Sequence, residues 1–160
     1  MSVLFPDAID RPTSKTPAVR EKALRGILPD FVEWLKEDCE DEASILKDLG
    51  DVLNGWNDGY QAARDLEHIG WSPDSELVEI LDSFSEYRAR DEAVKAWVKE
   101  VQPKPAFKLG DRVIWKRQIK SVQGTITKIY SETAQYIVSE SGDAPGCGTY
   151  VNWEDAEAMP

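Results

Sequence analysis

The period of the apolar residues changes across one stretch, Val101-Gln-Pro-Lys-Pro-Ala-Phe-Lys-Leu-Gly-Asp-Arg-Val-Ile-Trp115. Before this stretch, apolar residues recur at the spacing of amphipathic helices. Pro103 and Pro105 each lack a backbone N–H and restrict the residue before them, so a helix cannot continue through them. After them, short runs rich in β-branched and aromatic residues alternate with turn residues. The sequence therefore predicts an α+β fold with a helical part followed by a β part.

The helical part is predicted to consist of several short helices. Thr16 and Pro17 favour the start of a first helix, which we expect to end near Pro29, with Asp30 as the cap of a short second helix. Gly70 is expected to end a later helix in the left-handed conformation. The clearest helix is expected to start at Ser72-Pro73-Asp74 and to continue toward Val101 with one shift in the phase of its apolar face, which begins with Leu77, Ile80, Leu81 and Phe84.

The β part contains four runs that predict strands. Their β-branched and aromatic residues are separated by Gly, Asp, Asn and Ser, which favour turns. The predicted strands are residues 112–116, 125–130, 135–139 and 150–153.

At these residues the chain resembles an SH3-like barrel of the KOW and Tudor kind. The pattern is Phe107-Lys-Leu-Gly-Asp-Arg-Val-Ile-Trp115, Gly124-Thr-Ile-Thr-Lys-Ile-Tyr130, Tyr136-Ile-Val138 and Val151-Asn-Trp-Glu-Asp155. In such barrels a Leu-Gly-Asp turn leads into the first strand, a glycine opens the second, and a short acidic turn closes the domain. The resemblance implies a small barrel that binds RNA, DNA, proline-rich peptides, methylated side chains or other protein surfaces.

Four parts are expected along the chain. They are an irregular arm at residues 1–15, an acidic helical domain that forms an N-terminal helical bundle at 16–101, a proline-containing linker at 102–106, and the SH3-like barrel domain at 107–160. The combination of acidic helices with a small barrel is similar to accessory proteins carried by phages and mobile elements.

Charge is distributed unevenly along the sequence. Residues 1–100 contain 23 acidic and 12 basic residues, a balance of −11. Residues 101–130 contain seven basic residues against Asp111, and residues 131–160 contain six acidic residues and no basic one. Such a charge pattern indicates what the protein can bind more than how it folds.

The strongest concentration of negative charge lies in the run Glu37, Asp38, Cys39, Glu40, Asp41 and Glu42. Carboxylates spaced along helices can imitate a phosphate backbone and occupy a site meant for DNA or RNA. The alternative is a solvated loop and helix cap that keeps the protein soluble. On the first hypothesis, the five acids of this run bind a protein partner with a basic surface.

The basic residues form a stripe that can attract phosphates: Lys104, Lys108, Arg112, Lys116, Arg117 and Lys120. We expect Lys116, Arg117 and Lys120, with Trp115, to contact nucleic acid or a partner. Exposed lysines also discourage the pairing of strand edges, and this stripe can instead dock on the acidic helices of the same chain.

The β part is unusually rich in aromatic residues, namely Trp115, Tyr130, Tyr136, Tyr150 and Trp153. Such residues can form a stacking platform or a cage for a cation. A barrel of about fifty residues also needs large side chains to fill its core, so most of the five are expected to be structural.

The remaining reactive residues predict no catalytic centre. Cys39 and Cys147 are expected to be free thiols in a reducing compartment, and His68 stands without a nucleophile motif nearby. The loop Gly142-Asp-Ala-Pro-Gly-Cys-Gly148 lacks the Lys-Ser or Lys-Thr that follows a phosphate-binding loop, and is expected to be a mobile hairpin loop. We expect a cytoplasmic protein without cofactor or metal and without a membrane-spanning segment.

The sequence thus predicts a non-enzymatic binding protein that modulates or inhibits a nucleic-acid-handling complex, with its acidic helices as a nucleic-acid mimic of the anti-defence type. The alternative is a nucleic-acid-binding adaptor that uses the basic face of the barrel. A third class, a hydrolase with scattered carboxylates, requires a deep pocket and a carboxylate of raised pKa.

Overall fold

The computed structural model describes residues 10–36, 41–54 and 57–160. Its internal contacts divide the chain into two units. The helical unit comprises residues 12–93, and the sheet unit comprises residues 94–160 together with residues 10 and 11. The division falls inside a helix, so the last two turns of that helix belong to the sheet unit. The linker at 102–106 stays a prediction.

The described residues form five α-helices, which precede the strands in the chain. Their bounds are α1 Pro17–Leu35, α2 Glu42–Val52, α3 Gly59–His68, α4 Ser75–Asp82 and α5 Glu86–Val101. Gly70 has a φ of 104°, which confirms the left-handed turn predicted after the helix that contains Leu66. The end of α5 at Val101 confirms that the helical pattern stops before the prolines.

The predicted end of the first helix near Pro29 is wrong. Helix α1 continues through Pro29 to Leu35, so the separate helix expected after Asp30 is its second half. Pro29 removes one backbone hydrogen bond, but it lies on the exposed side of the helix, where water can solvate the carbonyl group left without a donor. Phe31 on the other side is fully buried, and its packing favours the continued helix.

The clearest predicted helix is divided into α4 and α5 by residues 83–85. The break coincides with the shift in the apolar phase, because one straight helix cannot keep both stripes against the same core. The Ser83 hydroxyl donates to the Ile80 carbonyl oxygen at 2.6 Å, a local bond that competes with helical continuation.

The helical unit buries one main apolar core. Its centre consists of side chains that are at most 2% exposed, namely Phe31, Ile45, Leu49, Leu53, Ala62, Leu66, Leu77 and Leu81. Trp71 packs edge-on against Phe31, with ring centroids 5.2 Å apart, and donates its indole N–H to Asp48 at 2.9 Å. Trp71 therefore packs its ring against the core while its indole N–H is hydrogen-bonded at the edge of the core.

Asp74 connects the start of α4 to α1. Its Oδ1 accepts hydrogen bonds from the Leu77 backbone N–H at 3.0 Å and from the Trp34 indole N–H at 2.9 Å. These bonds favour the charged carboxylate, and the cap to Leu77 is the main reason that the pKa of Asp74 lies below its ordinary value.

We expect Asp74→Ala to destabilise the helical unit in a pH-dependent way. A carboxylate with a lowered pKa stabilises the fold above its unfolded pKa, and this contribution disappears as the pH falls through the folded pKa. The urea midpoints of wild type and Asp74→Ala should therefore differ by a constant amount from about pH 7 to pH 5 and converge below about pH 4. A difference that stays the same down to about pH 3 would contradict this role for the charge.

The sheet unit contains a five-stranded antiparallel sheet with the strand order β4-β3-β2-β1-β5. The strands are β1 Arg112–Arg117, β2 Lys120–Tyr130, β3 Gln135–Ser139, β4 Thr149–Asn152 and β5 Glu157–Ala158, with a 3₁₀ helix at Trp153–Asp155. The four strands predicted from the sequence are present, but β2 begins at Lys120 instead of Thr125, Trp153 belongs to the 3₁₀ helix instead of β4, and β5 was not predicted. The segment with Gly142 and Cys147 connects β3 to β4.

Strand β2 changes partner along its length. Its first half pairs with β1 up to Thr125, and its second half pairs with β3 from Thr125 onward, with an irregularity between Ile126 and Lys128. Such a bulge increases the local twist and exchanges the side-chain faces beyond it. As a result Ile129 packs against the core, whereas Lys128 and Tyr130 fall on the outer side.

One side of the sheet packs against a second apolar core. All of β1 to β4 contribute to it, and Trp97 from α5 packs against the same cluster. Its other members include Val113, Trp115, Ile126, Tyr136, Val138, Val151 and Trp153. The hydroxyl oxygen of the buried Tyr136 accepts a hydrogen bond from the Phe107 backbone N–H at 3.1 Å, which holds the segment before β1 over β3.

Arg11 anchors the segment before α1 to the sheet unit. The sequence predicted that this residue lies in an irregular arm. Its side chain is only 12% exposed, and its guanidinium lies 5.1 Å from the centre of the Trp97 ring. It forms an ion pair with Glu154 and donates to the carbonyl oxygens of Thr133 at 2.9 Å and Ala134 at 2.8 Å. A short segment before α1 is thereby held against the β2–β3 turn and the 3₁₀ helix.

We expect Arg11→Ala to destabilise the sheet unit by about 2–3 kcal/mol, because hydrogen bonds to a charged group are lost and their acceptors stay partly buried. Arg11→Lys should recover little, since an ammonium group cannot reproduce the planar fork of donors. The matched control is Arg90→Ala, which removes a guanidinium from an exposed ring, that of Tyr87. Equal losses for Arg11→Ala and Arg90→Ala in urea unfolding would contradict the anchoring role.

Candidate partner-binding surfaces

The net charge of the protein lies in the helical unit. Residues 12–93 contain 20 acidic and nine basic residues, a balance of −11. The sheet unit, counted over residues 10, 11 and 94–160, contains nine acidic and ten basic residues and is close to neutral. A partner attracted by the negative charge therefore has its target in the helical unit.

The acidic run predicted as a protein-binding patch is described only in part. Glu37, Asp38 and Glu40 lie outside the described residues. Asp41 precedes α2 and is exposed, and its side chain makes no capping hydrogen bond. Glu42 is exposed and accepts a hydrogen bond from Arg25 at 2.7 Å, so part of its charge is compensated.

Several carboxylates of the helical unit hold the fold together. Asp58 caps α3 by accepting from the Gln61 N–H at 2.8 Å, and Asp82 accepts from the Gly59 N–H at 2.5 Å. Asp65 accepts from the side-chain amides of Asn57 and Gln61, each at 3.1 Å. Together with Asp48 and Asp74, these groups have structural partners and are poor candidates for contact with another protein.

A second group of carboxylates is exposed on the helices and before α2. Among the described residues they form no ion pair and accept no side-chain hydrogen bond. This exposed acidic set consists of Asp30, Glu33, Asp41, Glu67, Glu76 and Glu79. The sequence could not separate it from the structural carboxylates, because the donors that bind a carboxylate are known only from the contacts in the folded chain.

Two members of the exposed acidic set line a groove between α3 and α4 with a volume of about 870 Å³. Glu67 and Glu79 line it with Asp74, and Arg64 is the basic residue of the lining. The apolar part of the wall includes Tyr60, which is 63% exposed. A groove with this lining suits a basic side chain with an aliphatic stem.

The residues of the predicted basic stripe have different surroundings in the structure. Lys116 and Lys120 are exposed at the end of the β1–β2 hairpin. Arg117 instead donates to the Thr149 hydroxyl at 2.6 Å and pairs with Glu140 at 3.0 Å. Trp115 is 5% exposed and belongs to the core of the sheet unit, so its ring is not available to a partner.

The aromatic residues divide between the two sides of the sheet. Trp115, Tyr136 and Trp153 are at most 5% exposed and fill the core. Tyr150 is 60% exposed and stacks on Tyr130, with ring centroids 5.8 Å apart and planes 27° apart. Most of the five aromatic residues of the β part were expected to be structural, and three of them have their rings buried in the core.

The outer side of the sheet has a distinctive composition. Along β1 to β4 the positions that alternate with core residues carry no carboxylate, and they include Arg112, Lys116 and Lys128. The full set is Arg112, Ile114, Lys116, Ser121, Gln123, Thr125, Lys128, Tyr130, Gln135, Ile137, Ser139, Tyr150 and Asn152. At the β5 edge, Glu157 pairs with Ile114. The acids of the sheet unit otherwise lie in connecting segments and turns, in the 3₁₀ helix, in α5 and, for Asp10, before α1.

Groups suited to catalysis or metal binding are scarce in the parts of the chain that the structure describes. In these parts no cluster of three or more His, Cys, Asp or Glu side chains is arranged to hold a metal ion. Cys147 is an exposed free thiol, and His68 is the last residue of α3. None of the described helices is both long and apolar enough to cross a membrane.

No protein-family model, no curated protein and no solved structure matches this chain.

Proposed function

We propose that this chain is a non-enzymatic binding protein that modulates or inhibits a nucleic-acid-handling complex through protein contact. The acidic helical unit imitates nucleic acid and occupies a basic surface of the complex, as expected of an anti-defence protein from a phage or mobile element. The observation that carries the proposal is the location of the whole −11 balance in the helical unit, where the exposed acidic set forms no ion pair with described residues.

The chemistry of the partner follows from this surface. Proteins that bind nucleic acid present lysines and arginines at the positions of phosphates, and they are surrounded by a field that attracts anions. Carboxylates on rigid helices can meet several of these cations at once. The contact should form quickly and weaken as salt screens the charges.

A second candidate is a nucleic-acid-binding adaptor that uses the basic residues of the sheet unit. It is supported by the exposed ammonium groups of Lys116 and Lys120 and by the absence of carboxylates at the outer positions of β1 to β4. In this case the acidic helices bind a protein, while the sheet contacts phosphates. Arg117 contributes less, since it is paired with Glu140.

We also propose that the sheet curls into an SH3-like barrel and that the helical unit is a bundle. The strand order, the 3₁₀ helix before β5 and the return of β5 to β1 support the barrel. The exchange of partners along β2 and the bond from Arg117 to Thr149 favour a curled sheet over a flat one. A solution structure with an uncurled sheet would contradict this proposal.

Competition tests the mimicry directly. The purified protein is used to capture partners from nuclease-treated host extract, and the affinity of each isolated partner is then measured with and without a 20-base-pair DNA duplex. Mimicry predicts that the duplex and this protein displace each other from one site. A partner that binds both at the same time, with unchanged affinities, would contradict it.

A further inference from the structure

The outer side of the sheet carries a compact cluster of two aromatic rings and one cation. The rings of Tyr130 and Tyr150 stack, and the Lys128 ammonium nitrogen lies 4.6 Å from the centre of the Tyr130 ring. The Tyr150 side chain is 60% exposed, so it presents apolar surface to solvent. The nearby Lys128 ammonium lowers the pKa of the Tyr130 hydroxyl, and the Tyr130 hydroxyl in turn raises the pKa of Lys128.

The register of three strands fixes this arrangement. Lys128 pairs with Ile137, and Ile137 pairs with Tyr150, so the cation and the exposed ring belong to one row across the sheet. Tyr130 belongs to the next row with Gln135 and Asn152, whose side-chain amides bond each other at 3.0 Å. A stacking surface, a cation and amide groups thus lie within two neighbouring rows.

The core of the sheet unit does not require this cluster. Its rings lie on the side of the sheet away from the buried aromatic residues, and Tyr150 remains largely exposed after packing on Tyr130. Asp155 in the 3₁₀ helix after β4 accepts from the Asn152 amide at 2.9 Å. The positions of β2, β3 and β4 that share this side carry no carboxylate.

We propose that the Lys128–Tyr130–Tyr150 cluster is a binding site for single-stranded nucleic acid, in which an unpaired base stacks on the exposed ring of Tyr150 and Lys128 neutralises a nearby phosphate. Stacking on aromatic side chains beside cations is how proteins hold single strands with little sequence preference. A duplex keeps its base faces covered and cannot use the ring. A basic peptide is repelled by Lys128, which makes it the poorer ligand.

This inference deepens the second candidate function, nucleic-acid binding by the sheet unit, on which it rests, and it is independent of the mimicry proposed for the helical unit. It requires none of the carboxylates of the helical unit, so the two claims can fail separately. If both hold, the protein contacts a basic protein surface with its helices and unpaired strand with its sheet.

The test is a fluorescence-anisotropy titration of a labelled 12-nucleotide oligo-dT at low salt. We expect saturable binding that is at least tenfold tighter than binding of a 12-base-pair duplex. Tyr150→Ala should weaken the binding about tenfold, whereas Tyr150→Phe should stay within about twofold of wild type, because the stacking ring is kept. Tyr150→Val provides a second ring deletion with strong strand propensity, in case alanine perturbs β4.

The chain offers a matched control in α5. Tyr87 is 69% exposed, and the Arg90 guanidinium lies 4.8 Å from its ring centre, so the same type of pair occurs in the helical unit. Tyr87→Ala should leave oligo-dT binding unchanged. An abasic 12-mer should bind weakly, and Tyr150→Val should not change its affinity. The inference is overturned if wild type does not saturate at about 1 mM, if the duplex binds as tightly as the single strand, or if Tyr87→Ala and Tyr150→Val have equal effects.

Discussion

Gly59→Ala should destabilise the helical unit by about 3 kcal/mol, the largest stability change we expect from a single added methyl group. A Cβ at this position would press against the Val78 carbonyl oxygen and lie 2.7 Å from Asp82 Oδ1. The carbonyl belongs to α4 and cannot move without moving the helix. The start of α3 would have to withdraw, which also breaks the bond from the Gly59 N–H to Asp82.

The control is Gly26→Ala in the exposed part of α1, where an added Cβ meets no atom within 4 Å. This change should stabilise the protein by up to about 1 kcal/mol, because alanine favours helix more than glycine does. Urea unfolding followed by circular dichroism at 222 nm measures both changes. If Gly59→Ala unfolds at the same urea concentration as wild type, the close approach of α3 to α4 is wrong.

Reversal of three exposed carboxylates, Glu33→Lys, Glu67→Lys and Glu79→Lys together, should weaken the binding of a partner isolated by the capture experiment about a hundredfold. Each change replaces an attraction by a repulsion at a basic surface. The three side chains lie in the later parts of their helices, where lysine is compatible with the helix dipole. The fold should therefore persist, which circular dichroism can verify.

The matched control applies the same change of six charge units to the sheet unit, with Glu100→Lys, Glu132→Lys and Glu157→Lys. All three positions are exposed and lie outside the helical unit. If binding depends on a local acidic surface, this control should lose no more than about threefold. Equal losses for the two triple variants would show that net charge alone matters, which contradicts mimicry by the helices.

The strands could be predicted from the sequence because each has one side in a core, so that apolar residues alternate with polar ones. Val113 and Trp115 alternate with Arg112 and Lys116 in this way, and β1 begins where it was expected. Strand β5 was missed because its two residues, Glu157 and Ala158, are exposed and leave no alternation to detect.

Other features depended on contacts between residues far apart in the chain. Proline normally ends a helix, and the burial of Phe31 together with the exposed position of Pro29 explains why α1 continues past it. Arg11 stands in a polar segment without periodicity, and its partners Ala134 and Glu154 follow more than a hundred residues later. No local pattern could identify it as an anchor.

The candidate stacking site could not be predicted from the sequence because of the bulge in β2. Strict alternation from Ile126 puts Tyr130 on the core side, but the irregularity between Ile126 and Lys128 exchanges the sides beyond it. The sequence therefore indicated an excess of aromatic residues without showing which were exposed. Similarly, the count of acids predicted a negative surface, while hydrogen bonds such as those of Asp58 and Asp82 separate structural carboxylates from available ones.

If the helical unit imitates nucleic acid, a local acidic surface of that unit attracts the partner. The most direct measurement is the dependence of the partner's dissociation constant on salt between about 50 and 500 mM, for wild type and both triple variants. We expect a steep loss of affinity with salt for wild type and for the sheet-unit control, and a much weaker dependence for the helical-unit variant. Identical dependences for all three proteins would contradict this mimicry.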